Sequence, residues 1–409
     1  MKFLHTADWH LGKLLESSSR LEDQRFVLEQ IVQTIITEKP DAVLLAGDIY
    51  DRAVPPAQAV ELFDEFMHRI VIELKTPVLA IAGNHDSAER IDCYSGLLRR
   101  QGLYISGILG FPLEPIQLGG LEFFLLPFAT PEMVRSLTGI DSISTHEDVF
   151  RYAVDHIQTM RTPNKHAVLI AHCFASGASN AGDKERDISV GGVETVSADI
   201  FAPFAYTALG HLHRPQSLLA GRVRYAGSPV PYSFSEIGYE KTLSFVQIND
   251  DGSLEHRAIP LQQKRNLRLV QGRIDVTDGE KRFVLAEETL ELPTAHDFLK
   301  VELTNETLVL EPMQTIRRDF PNALELYYTK LQTTRSEKFN QSGAGISSEQ
   351  LSSFTPEQLL FDFYRSMTGE TPSEGSAMLM QQILNQAENR MSGIADNPAK
   401  LAKKSEAIA

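Results

Sequence analysis

The chain has 409 residues, 42% of them apolar, and 54 acidic residues against 39 basic ones give a formal net charge of −15. That length exceeds one ordinary core and the apolar fraction fills two or three domains, while the acidic balance argues against a protein that grips nucleic acid by bulk electrostatics alone. No run approaches the ~18 apolar residues of a membrane span, Asp8 comes too early for a signal-peptide core, and two cysteines, Cys93 and Cys173, suit a reducing compartment, so a cytoplasmic protein is expected.

From Met1 to about Leu261 strand-like and helix-like runs alternate, the pattern of an α/β layered domain. Phe3 to Ala7 reads as a strand leading into Asp8. Helical spacing from Ser19 to Thr37 ends at Pro40, ahead of the apolar strand Ala42 to Ala46. A second helical stripe over 56–74 precedes the strand Val78 to Ala82. Its apolar residues spread over more than one face. Further strands, Ala167 to Ala171 and Tyr206 to Leu209, deliver His172 and Gly210-His211, and the Gly- and Ser-rich stretch 176–192 between them is expected to be a long surface loop. A domain boundary is placed near residue 270. Beyond it, residues 271–335 read as a small α+β domain, with a half-buried strand at the end of 297–303 and a helix over 313–320 stopped by Pro321. Residues 336–354 read as a linker. Two amphipathic helices follow within 355–409, the first with Thr355 as N-cap and Pro356 at its first position, and they suggest a partner-binding element.

Five polar motifs follow successive apolar runs: Asp8-Trp9-His10, Gly47-Asp48-Ile49-Tyr50-Asp51, Gly83-Asn84-His85-Asp86, Ala171-His172 and Gly210-His211-Leu212-His213. Carboxylates, imidazoles and one amide carbonyl at the ends of successive strands converge on one edge of a sheet, where open α/β sheets bind ligands, and that donor set suits hard or borderline divalent metals. Singly, His172 reads as a structural histidine, and Asp48 and Gly83-Asn84 as turn residues; seven matches in order reverse that reading. Trp9 either packs beside the site or stacks on a base. Asp86 either orients His85 or caps the next helix. The remaining histidines, among them His5 and His256, read as structural or surface residues.

The ordered motifs resemble the calcineurin-like metallophosphoesterases. The surrounding residues, including His5-Thr6-Ala7-Asp8-Trp9-His10-Leu11-Gly12, Gly227-Ser228-Pro229 and Thr355-Pro356-Glu357, are similar to the SbcD nuclease subunits within that family. The resemblance implies an α/β fold with a layered β-sandwich core flanked by helices (1–270), a DNA-capping α+β domain (271–335) and a C-terminal helical tail. It implies that Asp8, His10 and His213 hold one metal ion, Asn84, His172 and His211 another, and Asp48 bridges them, with His85 as general acid. Two Mn²⁺ ions, or Mg²⁺, Fe²⁺ or Zn²⁺, about 3.5–4 Å apart then polarise a phosphate and activate water. It further implies exonuclease action on double-stranded DNA, endonuclease action on single strands and hairpins, a homodimer, with the 56–74 stripe as candidate contact and packing against the sheet as its alternative, and an SbcC-type SMC-like ATPase as partner, which would supply DNA-binding surface that this acidic chain lacks. Arg52, Arg186, Arg214 and Arg224 are candidate phosphate contacts. Asp51-Arg52 is also similar to the Asp-Arg of protein phosphatases, which leaves a phosphatase or nucleotide phosphodiesterase as one alternative and a non-catalytic scaffold for the ATPase as another.

Overall fold

The computed structural model describes residues 1–178, 195–277, 279–286 and 292–329 and scattered positions between 361 and 381. The chain divides into two units, Met1–Thr329 and Lys330–Ala409. In the first, two six-stranded sheets stack face to face. One is ordered Leu254–Pro260, Thr242–Ile248, Lys2–Thr6, Ala42–Ala46, Val78–Ile81, Leu103–Ser106, with the last four strands parallel. The other is ordered Gln216–Leu218, Val223–Tyr225, Tyr206–Gly210, Ala167–His172, Leu121–Leu126, Ile116–Leu118, with its four central strands parallel.

The central strands read as unbroken apolar runs because both of their faces are buried; every residue of Ala42–Ala46 and Ala167–His172 is buried. Alternate residues, Leu44, Leu79 and Ile81 from one sheet and Phe123, Val168, Ile170 and Ala208 from the other, interdigitate between the sheets. The outer face of the first sheet is covered by Leu21–Glu38 and by Ala57–Met67, which continues as a π-helix over His68–Glu73. Leu28, Ile31, Leu62 and Phe66 fill that layer. Helices Pro131–Thr138 and His146–Met160 cover the second sheet through Val134, Phe150, Ala153 and Ile157. Thr145 and Asp148 form a capping box that starts the longer one. The 56–74 stripe thus packs on the sheet through Ala59, Leu62, Phe66 and Ile70, with Val60 and Ile72 exposed.

A four-stranded sheet, ordered Glu280–Leu285, Leu267–Thr277, Phe298–Leu303, Ala323–Tyr328, closes this unit. Helix Pro312–Asp319 accompanies it, and Val270, Ile274, Val301, Leu303 and Ile316 make its core. Among the described residues no helix is long and apolar enough to cross a membrane. The linker expected at 336–354, most of the loop expected at 176–192 and most of the two C-terminal helices lie outside the described residues; Phe361, Tyr364, Ala377, Met380 and Gln381 are helical.

Candidate metal centre

All five motifs sit at the carboxyl ends of parallel strands, three from one sheet and two from the other, so their side chains meet where the two sheet edges face each other. Short backbone links hold the first two loops together: Asp8 N–H donates to Gly47 O at 3.0 Å and His10 N–H to Asp48 O at 2.9 Å. Four of the motif residues, Asp8, His10, Asp48 and His211, have positive φ of 54°, 42°, 50° and 102°. Such backbone costs about 1–3 kcal/mol per residue and concentrates at functional sites. Two glycines are required by close approach. A Cβ on Gly83 would lie 2.1 Å from Asp48 Oδ1, and one on Gly210 would lie 1.9 Å from the carbonyl oxygen of Ala46.

The seven residues fall into two sets. His10 Nε2 and His213 Nε2 lie 3.1 Å apart, and one donor atom from each of Asp8, His10 and Asp48 lies within 4.8 Å of the others. In the second set Asn84 Oδ1 is 2.9 Å from His172 Nε2 and 3.2 Å from His211 Nδ1. Asp48 Oδ2 stands between the sets, 3.5 Å from His10 Nε2 and 3.3 Å from His172 Nε2.

The protonation pattern reveals what this cluster asks for. His172 Nδ1 lies 2.9 Å from the carbonyl of Ala46. A carbonyl only accepts, so Nδ1 carries a proton and Nε2 faces two oxygens, which a neutral ring would meet lone pair to lone pair. Burial opposes charge on His172, but the Asp48 and Asp8 carboxylates take its pKa up to about 9. Burial pushes Asp8 up to about 7, against the pull of His172 and with Asp48 adding to it. Burial works the same way on Asp48, yet His172, His10 and His85 hold it well below the ordinary carboxylate range. Asp8 Oδ2 is buried with no hydrogen-bond partner among the described residues, and Asp48 Oδ2 has only its ion-pair contacts with His10 and His172 at 3.5 and 3.3 Å. Orphaned buried carboxylate oxygens are costly, and divalent cations would satisfy them; mixed imidazole and carboxylate donors suit Mn²⁺, Fe²⁺ or Zn²⁺.

Residues 1–215 match the calcineurin-like phosphoesterase family. Over 385 residues, 94% of this chain and 98% of the relative, the sequence is 32% identical to the D component of the nuclease SbcCD from Staphylococcus epidermidis. The chain belongs to the calcineurin-like phosphoesterases. Among solved structures it is similar to a dimetal phosphatase from Danio rerio, at 12% identity and a TM-score of 0.35 over 64% of this chain and 99% of that one. A second similar structure is the phosphoesterase YfcE from E. coli, at 16% identity and a TM-score of 0.26 over 63% and 100%.

In this phosphoesterase His85 is half-buried beside the cluster, its ring edge-on to His10 with centroids 4.8 Å apart. Its backbone N–H donates to Asp48 Oδ1 at 3.0 Å and its Nδ1 faces the Asp51 carbonyl at 2.9 Å. By the same carbonyl argument Nδ1 is the protonated nitrogen, which leaves Nε2 for chemistry. Asp86 does not cap the following helix, which Ser87 caps. Instead its carboxylate accepts the backbone N–H groups of Ile49, Tyr50 and Gly83 at 2.8–3.0 Å, tying the Asp48 loop to the Asn84 loop. Burial and the Asp48 charge push Asp86 up to about 6. Trp9 is buried, donates to Thr6 Oγ1 at 2.9 Å and packs edge-on against Phe63, so packing is the reading the geometry supports.

Of the candidate phosphate contacts, Arg52 and Arg214 are exposed, the latter lying over the Tyr239 ring at 4.9 Å. Arg224 donates to Ser217 and Ser244, and Arg186 lies outside the described residues. His5 is buried with Nδ1 2.9 Å from Tyr206 Oη, and burial, with Arg224 adding, pushes it down to about 3. Sequence motifs did not reach Gln24, whose side-chain amide donates to the carbonyl of His10 at 2.7 Å, or Glu236 and Lys241, buried behind His213. No local pattern marks them, because they join the site only through the fold.

Proposed function

We propose that this chain is the nuclease subunit of an SbcC–SbcD-type complex, a Mn²⁺-dependent phosphodiester hydrolase that acts as an exonuclease on double-stranded DNA and as an endonuclease on single strands and hairpins. The observation that carries the two-ion reading is the place of Asp48 Oδ2, 3.5 Å from His10 and 3.3 Å from His172, with a histidine-rich donor set on either side. In this reading Asp8, His10 and His213 would hold one ion and Asn84, His172 and His211 the other, with Asp48 placed to serve both. Bound divalent ions supply Lewis acidity toward the phosphate oxygens and need no covalent enzyme intermediate.

The protein's own residues prepare that chemistry. The Ala46 carbonyl fixes the tautomer of His172, and the three N–H donors on Asp86 hold the Asp48 and Asn84 loops at a set distance. His85, with Nδ1 committed to the Asp51 carbonyl, presents Nε2 as the general acid that protonates the leaving oxygen. Under the same reading the four-stranded sheet that starts at Leu267 is the DNA-capping domain of 271–335. The helices expected within 355–409 hold the SMC-like ATPase, and the protein works as a homodimer in the cytoplasm. Cys93 and Cys173 are both free, which agrees with a reducing compartment.

The test is cleavage of a hairpin-ended duplex and of p-nitrophenyl phosphodiesters, each with Mn²⁺ or Mg²⁺, with and without the co-expressed ATPase. Mn²⁺-dependent DNA cutting that gains ATP dependence with the partner is the expected result; ester hydrolysis without DNA cutting favours a phosphatase or nucleotide phosphodiesterase. His85→Ala is expected to lower DNA cleavage by about 10²–10⁴-fold while Mn²⁺ binding persists; unchanged cleavage would remove His85 from the general-acid role, and a complex that loses no function on this substitution fits the scaffold reading.

A further inference from the structure

Behind His213 lies a buried ion pair. Glu236 and Lys241 are 2% and 3% exposed, and Lys241 Nζ donates to Glu236 Oε2 at 2.5 Å. The other oxygen, Glu236 Oε1, receives the backbone N–H of Tyr232 at 3.0 Å and faces His213 Nδ1 at 3.2 Å. Lys241 Nζ also donates to the backbone carbonyl of His213 at 3.0 Å and to Ser228 Oγ at 2.8 Å. One lysine thus grips both the backbone of His213 and the carboxylate that holds its ring.

We infer that Glu236 and Lys241 are positioning residues that set the His213 ring for metal binding. Because an ionised carboxylate only accepts, Nδ1 is the nitrogen that donates, and the Nε2 lone pair is turned toward His10 Nε2. An unsupported imidazole can flip or change tautomer, and either movement turns the ligating nitrogen away. Partners of this kind, behind a ligand, typically change metal affinity by about 10–100-fold. The other donor set has a different device, the backbone carbonyl of Ala46 on His172. The inference rests on the two-ion reading above.

Its test is titration of the metal-free full chain with Mn²⁺ alone, by calorimetry, for wild type, His213→Ala, Glu236→Gln and the double variant Glu236→Gln/Lys241→Met. The double variant removes both buried charges together and stands in if the single variant fails to fold. Two Mn²⁺ equivalents are expected for wild type, and His213→Ala identifies the site it loses. Glu236→Gln should weaken that same site by about 10–100-fold and leave the other unchanged, even though stranding the buried Lys241 without its carboxylate lowers the unfolding midpoint of the metal-free protein. Wild-type affinity at both sites, or equal weakening of both, overturns the inference. A wild-type chain that binds no Mn²⁺ removes the two-ion reading itself.

Discussion

His172 can offer only one nitrogen to the cluster, since Nδ1 is committed to the carbonyl of Ala46. That commitment makes the metal-free protein sensitive to pH. The unfolded chain releases protons from Asp near pH ~3.9 and from His near ~6.5, whereas Asp8 holds its proton to about 7 and His172 to about 9 in the folded chain. Groups whose folded pKa is raised contribute stability in full below the unfolded pKa and lose it as pH climbs through the folded one. Asp8 therefore loses its contribution between about pH 4 and 7, and His172 loses its own between about pH 6.5 and 9. Asp48, depressed rather than raised, contributes above ~3.9 and is constant over that window. In the presence of a chelator the urea midpoint should fall from pH 6.5 to pH 9, and Mn²⁺ should flatten the fall, because the cation takes over the role of the proton on Nε2. A metal-free midpoint that rises over this range contradicts the assignment.

At the scale of elements, the turns that leave the strands do more than connect. Gly210 ends its strand against the backbone of the neighbouring sheet, where a Cβ would meet the Ala46 oxygen at 1.9 Å and His172 Nδ1 at 2.8 Å. Gly210→Ala must move rigid backbone rather than a flexible side chain. Overpacking of this kind costs about 1–3 kcal/mol, read as a lower urea midpoint, and the displaced His172 should weaken Mn²⁺ binding in the same variant; stability and affinity equal to wild type would show that the two sheets can part at this point. Helix Leu21–Glu38 is another element with two duties. Its first turn carries Gln24, which holds the His10 carbonyl, and Asp23, which pairs with Arg265 and lies 3.5 Å from the buried Arg20.

On the scale of the whole described unit, that first turn is where the sandwich meets the four-stranded sheet. The guanidinium groups of Arg20 and Arg265 both pack on the ring of Phe298, the first residue of its strand, 4.7 and 4.5 Å from its centroid, with Asp23 as the shared counter-ion. Asp23→Asn leaves Arg20 buried without a compensating charge, and breaking a buried pair from one side costs about 3–5 kcal/mol. Hydrogen exchange should report loosening that begins at Leu267 and Phe298 before the sandwich strands open; uniform protection across both sheets would argue that the junction is held by apolar packing alone. Much of this molecule was legible in its sequence. Strands buried on both faces appear as unbroken apolar runs, and the polar residues that end them, Asp8, Asp48, Asn84, His172 and His211, could be read locally; that they come from two facing sheets, and the order of strands in each, could not. What stayed hidden depends on contacts between residues far apart in the chain: Gln24 beneath His10, Asp86 tying two loops through three N–H groups, Glu236 and Lys241 behind His213, and the guanidinium pair on Phe298. Which polar side chains end the strands is a local matter, written in the order of residues along the chain; the tautomer, charge and orientation of each depend on what the fold packs behind it, which no local stretch of sequence carries.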